Sequence, residues 1–305
     1  MAGRVVVVGS LNVDLVVTLE RMPDSGETVF GKRYAQNAGG KGLNQAVAIA
    51  RLGIPVTMVG AIGNDDPGKY LHGIVTDEGI DDRFLNTIDG SSGTALIEVQ
   101  TDGANRIVVV PGANATVTPA QVEQALDSLD DACVVLAQGE VPLDAVETAL
   151  RIARSKGAAT ILNPAPVQDF PASLLELVDY LIPNEHEAAQ LSGEPTERSA
   201  EATHAARTLA ERGPGTVIVT RGSRATVWST AVQSGSCGVC HVEPIDTVAA
   251  GDAFCGGFAS AIAEGADLGT ALRWASATGG LATTKAGAVP SLPTRAEVEE
   301  LLGSH

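Results

Sequence analysis

The sequence predicts an α/β fold, a three-layer α/β/α sandwich with a central, mostly parallel sheet. Three observations support this prediction. Apolar runs of strand length alternate with amphipathic runs of helix length, their connections are short, and a chain of 305 residues can bury one large core. Such alternation is typical of parallel strands with helices on both faces of the sheet. We predict a single domain over residues 1–305, because no linker rich in Pro, Gly or Ser divides the chain.

The first predicted elements alternate between strand and helix. A strand is predicted at residues 4–8, whose sequence RVVVV is a continuous apolar run. A helix is predicted over 40–52, because its apolar residues recur at the spacing of one buried face. Residues 55–61 predict the next strand, and residues 66–79 predict a helix that ends at a glycine.

The same pattern continues to the C-terminus. Further strands are predicted at 132–137, 158–162, 179–182 and 215–220. Further helices are predicted at 119–128, 143–155, 184–191, 198–212, 250–264, 267–284 and 294–303. The C-terminal third is therefore expected to be helical.

Two regions interrupt the alternation and lack a helix of their own. Residues 11–36 alternate polar and apolar side chains, and residues 93–110 predict a hairpin that turns at Asp102 and Gly103. We predict that the two regions form a small β layer that covers the active site as a lid. The alternative is an extension at the edge of the main sheet.

The charge balance excludes several classes of protein. Lys and Arg number 20 and Asp and Glu number 37, which gives a net charge of −17 without any basic cluster. A nucleic-acid binder presents a basic face to phosphates, and an anionic membrane surface attracts the same kind of face. No apolar run reaches the roughly 20 residues that span a bilayer. We therefore expect neither a nucleic-acid partner nor a membrane partner. We expect the protein to be cytoplasmic.

The four cysteines do not form a disulfide framework. Cys237 and Cys240 make a single CxxC, which could bind a metal, act in redox chemistry or simply belong to a hairpin. A zinc site would need two more ligands, and only His241 lies nearby. Cys133 and Cys255 are expected to be packed thiols.

The most informative segment is DTVAAGDAFCGG, from Asp246 to Gly257. Small residues precede a predicted helix, whose first N–H groups and dipole attract an anion. Asp252 lies in the first turn, where its carboxylate could accept a proton from a hydroxyl group. The alternative is that Asp252 only caps the helix. Two glycines inside this helix, Gly256 and Gly257, indicate either close packing or a nearby ligand.

Two further groups of polar residues are candidate ligand contacts. In GGKGLNQ (39–45), Lys41 and Asn44 share one helix face and could hold several hydroxyl groups; the alternative is a glycine turn with two solvated side chains. Asn12, Asp14 and Glu140 follow apolar strands, at the sheet edge where ligands bind in doubly wound folds. The alternative for Glu140 is a loop carboxylate with no role. Neither GxxxxGK[ST] nor a GxGxxG after the first strand is present.

Taken together and in this order, these motifs resemble the ribokinase family of carbohydrate kinases. The resemblance covers nearly the whole chain through GSLNVDLV, GGKGLNQAVA, LNPAP (162–166), PNEHEA (183–188), TRGS (220–223), DTVAAGD and GAVPS (287–291). It implies an α/β sandwich with a β lid, and a homodimer in which two lids clasp. It also implies phosphorylation of D-ribose by ATP to give D-ribose 5-phosphate. The alternatives are another kinase of the family, acting on deoxyribose, fructose or adenosine, or an inactive sugar-binding regulator.

The resemblance also implies roles for individual residues. Asp252 would be the catalytic base, and Ala249, Ala250 and Gly251 would supply the anion hole. Sugar contacts would come from Asn12, Asp14, Gly40, Lys41, Asn44, Glu140 and Asp252. Nucleotide contacts would come from Asn184, Thr220, Gly222, Ser223, Gly251 and Ser276.

Two cations are implied in the same way. Glu187 would help to organise Mg²⁺ at the nucleotide. A K⁺ site would use Asp246, Val248, Ala282, Lys285, Gly287 and Ser291, several of them through backbone carbonyls. Two positions depart from the family pattern: Gly139 replaces a larger apolar residue before Glu140, and Ser276 stands where His or Asn is common beside adenine.

Overall fold

The fold is built from thirteen strands and ten α-helices in the part of the chain that the computed structural model describes, residues 3–101 and 105–303. The strands are β1 (Arg4–Val8), β2 (Asn12–Leu19), β3 (Arg33–Gly39), β4 (Val56–Gly63), β5 (Asp81–Ile88), β6 (Gly93–Gln100), β7 (Asn105–Val110), β8 (Ala132–Gln138), β9 (Ala159–Asn163), β10 (Tyr180–Leu181), β11 (Thr216–Arg221), β12 (Arg224–Ser229) and β13 (Ser234–Cys237). The helices are α1 (Lys41–Arg51), α2 (Asp66–Asp77), α3 (Pro119–Asp127), α4 (Leu143–Ser155), α5 (Ala172–Leu175), α6 (Glu185–Ser192), α7 (Ser199–Ala210), α8 (Ala250–Ala263), α9 (Leu268–Ala282) and α10 (Arg295–Gly303).

A nine-stranded sheet forms the centre of the molecule, in the order β13-β12-β11-β10-β9-β8-β1-β4-β5. The pairs from β5 to β11 are parallel, and β12 and β13 are antiparallel additions at one edge. This confirms the predicted α/β class and every predicted strand. Sequence reasoning missed β5, β12 and β13. They lie at the two edges of the sheet, where half-exposed strands do not need a continuous apolar run.

The core consists of two apolar layers, one on each face of this sheet. Alternation along β1 sends Val5 and Val7 into the layer beneath α1, α8 and α9, and Val6 and Val8 into the layer beneath α3, α4 and α7. The two layers and the sheet between them confirm the predicted sandwich.

A second, four-stranded sheet has the order β3-β2-β6-β7 and is separate from the first. β2 pairs with β3 and β6 with β7 in antiparallel fashion, whereas β2 and β6 are parallel. These strands come from the two predicted regions, although β3 continues to Gly39, past the predicted end at 36. The separate sheet replaces the edge extension considered as an alternative. The expected turn at Asp102 and Gly103 lies outside the described residues.

The paired glycines of α8 allow close helix packing. A Cβ on Gly256 would lie 2.6 Å from Cβ of Ala48 on α1, and one on Gly257 would lie 2.5 Å from Oγ1 of Thr278 on α9. Close approach of backbones therefore explains both residues. It brings the starts of α1 and α8 together at the same end of the sheet. Among the described helices, none combines the length and the apolar character needed to cross a membrane.

Candidate active site

A cavity of about 220 Å³ opens where the parallel strands of the main sheet end. Strand ends and the loops that follow them contribute Asn163, Ala165, Ile182, Asn184 and Thr220, and helices contribute Lys41, Glu187, Gly251, Asp252 and Cys255, with Ala249 at the start of α8. A cavity at the carboxyl ends of parallel strands is the usual ligand site of such a fold. Five separate motifs of the sequence meet here.

The start of α8 has an unusual backbone. Ala249 precedes the helix with φ +59°, and it is the one residue other than glycine with a positive φ among those described. This left-handed conformation costs an alanine about 1–2 kcal/mol, so the surrounding structure must enforce it. Ala249 and Gly251 line the cavity, whereas the amide of Ala250 donates to the Thr247 carbonyl at 3.3 Å. The positive end of the helix dipole therefore faces a space suited to an anion.

Asp252 is buried in the first turn of α8, and its carboxylate is held by two amides. Asn44 Nδ2 donates to Oδ2 at 2.9 Å, and Gln45 Nε2 donates to Oδ1 at 3.0 Å. The cap position of α8 is Ala249, and no side chain caps the helix. The simple capping role considered for Asp252 is therefore wrong.

Lys41 places a cation beside this carboxylate. Burial by itself lowers the pKa of the Lys41 ammonium, but surrounding carboxylates more than offset this and raise the pKa above its usual value. Asp252 contributes most to that increase, followed by Glu140 and Glu187. The cavity thus contains a permanent positive charge although the whole chain is strongly acidic.

Asp14 lies on β2 of the small sheet, and its side chain is next to Gly39, the first glycine of GGKG. A Cβ on Gly39 would lie 2.2 Å from Oδ2 of Asp14, and Gly40 has φ +89° with the Asn12 amide nitrogen 2.7 Å from its would-be Cβ. Only glycines let the chain pass so close to the Asp14 side chain and to the backbone of Asn12. The pKa of Asp14 is raised to about 7, first by burial and then by the nearby Glu140 and Asp252 carboxylates, and Lys41 partly offsets this increase.

Asn12 and Glu140 line a second cavity of about 360 Å³, beneath the small sheet. Asn12 Oδ1 accepts from Asn114 Nδ2 at 2.8 Å, and Glu140 accepts hydrogen bonds from Ser10 Oγ and, at 3.1 Å, from the Lys41 amide. A Cβ on Gly139 would lie 2.3 Å from the Pro166 carbonyl oxygen. A larger residue therefore does not fit at this position, and the Ser10 hydroxyl and the Lys41 backbone amide hold the Glu140 carboxylate.

Apart from Gly251, which lines the cavity, the predicted nucleotide residues lie in three places. Asn184 and Glu187 form a capping box at the start of α6, and Asn184 makes a β-bridge with Thr220 beside the cavity. Gly222 and Ser223 form the turn between β11 and β12, where Gly222 has φ +57°. Ser276 lies apart from this cavity. Its Oγ donates to the Gly238 carbonyl at 3.2 Å, beneath the segment that holds the CxxC.

The residues predicted to form the K⁺ site lie where the loop before α8 contacts the loop after α9. The Asp246 carboxylate accepts hydrogen bonds from two backbone N–H groups, that of Gly287 at 2.9 Å and that of Val248 at 3.0 Å. Ser291 Oγ donates to the Ala288 carbonyl, while Ala282 ends α9. The Lys285 ammonium instead pairs with Glu297 at 2.7 Å, so only its backbone carbonyl is available to this loop pair.

The cysteines are all free thiols. Cys237 ends β13, which pairs with β12 as a hairpin, and Cys255 is buried next to Asp252. Cys133 is half-buried beside the start of β1. Within residues 3–101 and 105–303, no three His, Cys, Asp or Glu side chains are grouped to hold a metal.

Two residues at the site were not singled out from the sequence. Gln45 contacts Asp252, and Asn163 contacts Gln45 and lines the cavity. Gln45 belongs to the motif GGKGLNQ and Asn163 to the motif LNPAP. The motifs therefore indicated that these segments are important, but not which side chains these two residues contact. Glu187, which was singled out, faces the same carboxylate, and burial is the first cause that raises its pKa.

Comparison with known proteins gives a consistent result. A family model described as pfkB family carbohydrate kinase matches residues 2–295. The chain is 38% identical over 303 residues to a ribokinase of Haemophilus influenzae, covering 99% of both chains. It is 39% identical over 300 residues to a ribokinase of Bacillus subtilis, covering 98% of this chain and 99% of that protein. The structure of Arabidopsis thaliana ribokinase complexed with ribose and ATP is similar, with a TM-score of 0.90, 34% identity and 99% coverage of both chains.

Proposed function

The chain belongs to the pfkB family of carbohydrate kinases, and from that premise we propose that it phosphorylates D-ribose with ATP, giving D-ribose 5-phosphate and ADP. Relatives named ribokinases are 38–39% identical to it over almost the whole length. The observation that carries the proposal is the Asp252 carboxylate, which is buried in the first turn of α8 and held by two amides at the cavity where the parallel strands end.

In the proposed reaction, Asp252 accepts the proton of the attacking sugar hydroxyl. The oxygen of that hydroxyl forms a bond to the γ-phosphorus of ATP, and the bond from that phosphorus to the β–γ bridging oxygen breaks, releasing ADP. The N–H groups at the start of α8 and the Lys41 ammonium stabilise charge on the transferred group. Positioning and electrostatics supply most of the catalysis in phosphoryl transfer.

For the sugar itself, we propose contacts with Asn12, Asp14, Gly40, Lys41, Asn44, Glu140 and Asp252. The support is chemical: Oδ1 of the buried Asn44 has no hydrogen-bond partner within the described part of the chain, although it lies beside Asp252. A buried carbonyl oxygen without a partner costs free energy, and a sugar hydroxyl would satisfy it. For the nucleotide, we propose contacts with Asn184, Thr220, Gly222, Ser223 and Gly251. Ser276 is also proposed, as an acceptor only, because its hydroxyl proton is donated to the Gly238 carbonyl.

Mg²⁺ fits the donor groups at this site. One oxygen of Glu187 accepts the Asn184 amide at 2.8 Å, which leaves the other for an ion. Mg²⁺ is commonly held by one or two carboxylates together with substrate phosphates, rather than by a protein cage. Glu187 would hold the ion, which would neutralise phosphate charge.

K⁺ fits the loop pair around Asp246. Hard cations prefer oxygen ligands, and the loops offer this carboxylate and the carbonyls of Val248, Ala282, Lys285 and Gly287 near Ser291. The ion would steady the loop that leads to Ala249. Because this loop positions the N–H groups of α8, the ion would act on the geometry of the anion hole.

We also propose a homodimer formed through the small sheet, which acts as the lid. β7 is an edge strand of that sheet, and Ile107, Val108, Val109 and Val110 are 46–59% exposed. A long apolar edge strand invites pairing with another chain, and a second copy of the same edge would cover it. Because ATP is the proposed phosphoryl donor, we place the reaction in the cytoplasm.

A substrate panel tests the proposal. The purified protein is assayed with ATP and Mg²⁺ against D-ribose, 2-deoxyribose, fructose and adenosine, and the phosphorylated position is read by ³¹P NMR. We expect the highest kcat/KM with ribose and a phosphate on its 5-hydroxyl. A higher kcat/KM with another acceptor would reassign the substrate, and no turnover with any of them would support the inactive sugar-binding protein.

A further inference from the structure

A row of buried side-chain amides lies directly behind Asp252. Gln45 is fully buried, and its Nε2 donates to Asp252 Oδ1 at 3.0 Å and to Asn163 Oδ1 at 3.2 Å. Its Oε1 accepts from Gln138 Nε2 at 2.7 Å. The row joins the ends of β8 and β9 to α1, and through it to α8.

The orientation of this row is set at one end by a backbone group. The Ile182 carbonyl can only accept, so the Asn163 side chain must turn its NH₂ group toward it, and the two atoms are 2.9 Å apart. Asn163 Oδ1 then faces Gln45, which must turn its own NH₂ group toward Asn163 and Asp252. The reverse orientation of Gln45 would set its carbonyl oxygen against a carboxylate.

Gln45 differs from its neighbour Asn44 in whether its side chain has a hydrogen-bonding atom left for a ligand. Asn44 donates to Asp252 and keeps a carbonyl oxygen without a partner, so it can also meet a sugar hydroxyl. Gln45 has both N–H groups and its carbonyl occupied and has no exposed surface. It therefore cannot contact the substrate, and its effect on the reaction must pass through Asp252.

We propose that Gln45 is a positioning residue for the catalytic base, and that Asn163 sets its orientation. This inference rests on the proposed function. The hydrogen bond from Gln45 holds one carboxylate oxygen, so that Asp252 keeps a lone pair directed at the incoming hydroxyl. It also stabilises the ionised carboxylate, which is the form that acts as a base.

The test compares Gln45→Leu with a matched control, Gln121→Leu. Gln121 is also buried and donates to two backbone carbonyls, those of Gly60 and Phe84, but it lies away from the site. Steady-state kinetics with ribose and ATP are measured from pH 5 to 9, and ribose binding is measured by calorimetry. For Gln45→Leu we expect kcat to fall about 10- to 100-fold, with the KM and Kd for ribose within about threefold of wild type. The acid limb of its pH–rate profile should move to higher pH, because the carboxylate has lost a donor.

Gln121→Leu should lose stability while keeping the wild-type kcat and pH profile. A Gln45→Leu variant with wild-type kcat and an unmoved profile would overturn the proposal, and so would a change confined to ribose KM. Gln45→Met and Gln138→Met are measured in parallel, so that the test still holds if one of the variants fails to fold. Both substitutions should lower kcat and move the acid limb of the pH–rate profile in the same direction as Gln45→Leu. Wild-type protein that is inactive on ribose would instead contradict the proposed function.

Discussion

Asn44 and Asp252 are 208 positions apart in the chain, yet Nδ2 of Asn44 donates to the Asp252 carboxylate across 2.9 Å. This contact links the helix that begins in GGKGLNQ to the helix that begins in DTVAAGD. A residue proposed to hold the sugar therefore touches the residue proposed to activate it. Under this proposal, substrate binding and proton transfer share one hydrogen-bonded unit, and variants of its members should separate their contributions.

Asp252→Asn should fold, bind ribose and lose phosphoryl transfer. Loss of a general base lowers the rate by about 100- to 10,000-fold, because an amide cannot accept the hydroxyl proton. Turnover is measured at saturating ribose and ATP, and ribose binding by calorimetry. Asp66→Asn is a matched control, since Asp66 also lies in the first turn of a helix but is exposed. Near-normal turnover in Asp252→Asn would reject the assignment of the base.

Asn44→Ala should raise the ribose KM by about 10-fold or more while leaving the KM for ATP within about twofold. The reason is that it removes an oxygen available to a sugar hydroxyl, and a lost hydrogen bond of this kind costs roughly 1–2 kcal/mol. A decrease in kcat is expected as well, since Asp252 loses one donor. Equal changes in both KM values would instead indicate a general structural role.

Asp14→Asn should abolish ribose binding and make folding stability less dependent on pH. The pKa of Asp14 is raised from 3.8 to about 7 in the folded protein, mainly by burial. Between about pH 4 and about pH 7, Asp14 is therefore protonated in the folded protein but ionised in the unfolded chain. Its contribution to the free energy of unfolding decreases as the pH rises through this range. Urea unfolding at pH 5 and pH 8 measures the effect. The loss of unfolding free energy between pH 5 and pH 8 should be smaller in the variant than in the wild type by roughly 2 kcal/mol. This value is reduced from that of a fully buried group, because Asp14 is partly exposed to solvent. Asp24→Asn, at an exposed site, should show no such shift.

Asp246→Ala should remove activation by K⁺. The Asp246 carboxylate joins two loops through the amides of Val248 and Gly287, and a K⁺ ion beside it would steady the loop that leads to the start of α8. Because a misdirected anion-hole donor costs roughly 3–4 kcal/mol, we expect K⁺ to raise kcat in the wild type and Na⁺ to raise it less. Lys285→Ala is the control and should keep the response, since that side chain pairs with Glu297. Equal wild-type activity in potassium-free buffer and in K⁺ would contradict the proposed site.

Val108→Lys should convert the proposed dimer into a monomer. Val108 is 59% exposed on the edge strand of the small sheet, and a lysine there would place two charges in an apolar interface. Light scattering after size-exclusion chromatography reports the mass of both proteins. Val232→Lys changes a residue that is 91% exposed elsewhere on the molecule and should leave the mass unchanged. A monomeric wild-type protein would reject the dimer.

The sequence by itself determined the architecture and the chemistry of the main motifs. Buried strands such as β1, with its four consecutive valines, carry an apolar run, and helices such as α1 carry an apolar stripe, so period and length were enough to recognise them. Asp252 could be singled out because small residues, a helix start and an acidic side chain are adjacent in the chain. The strands β5, β12 and β13 lie at or next to the edges of the main sheet, and they were missed because partly exposed strands lack the apolar run on which such recognition depends.

Only the tertiary structure decided which side chains meet. Gln45 binds Asp252 at a separation of 207 residues and Asn163 at 118, and no local spacing encodes contacts of that range. The same is true of the raised pKa of Asp14, which results from burial and from two carboxylates, Glu140 and Asp252, that are far away in the chain. Burial and charge at a point depend on everything packed around it. The local pattern of a sequence can therefore mark a residue as reactive, while the packed structure sets its protonation and its partners.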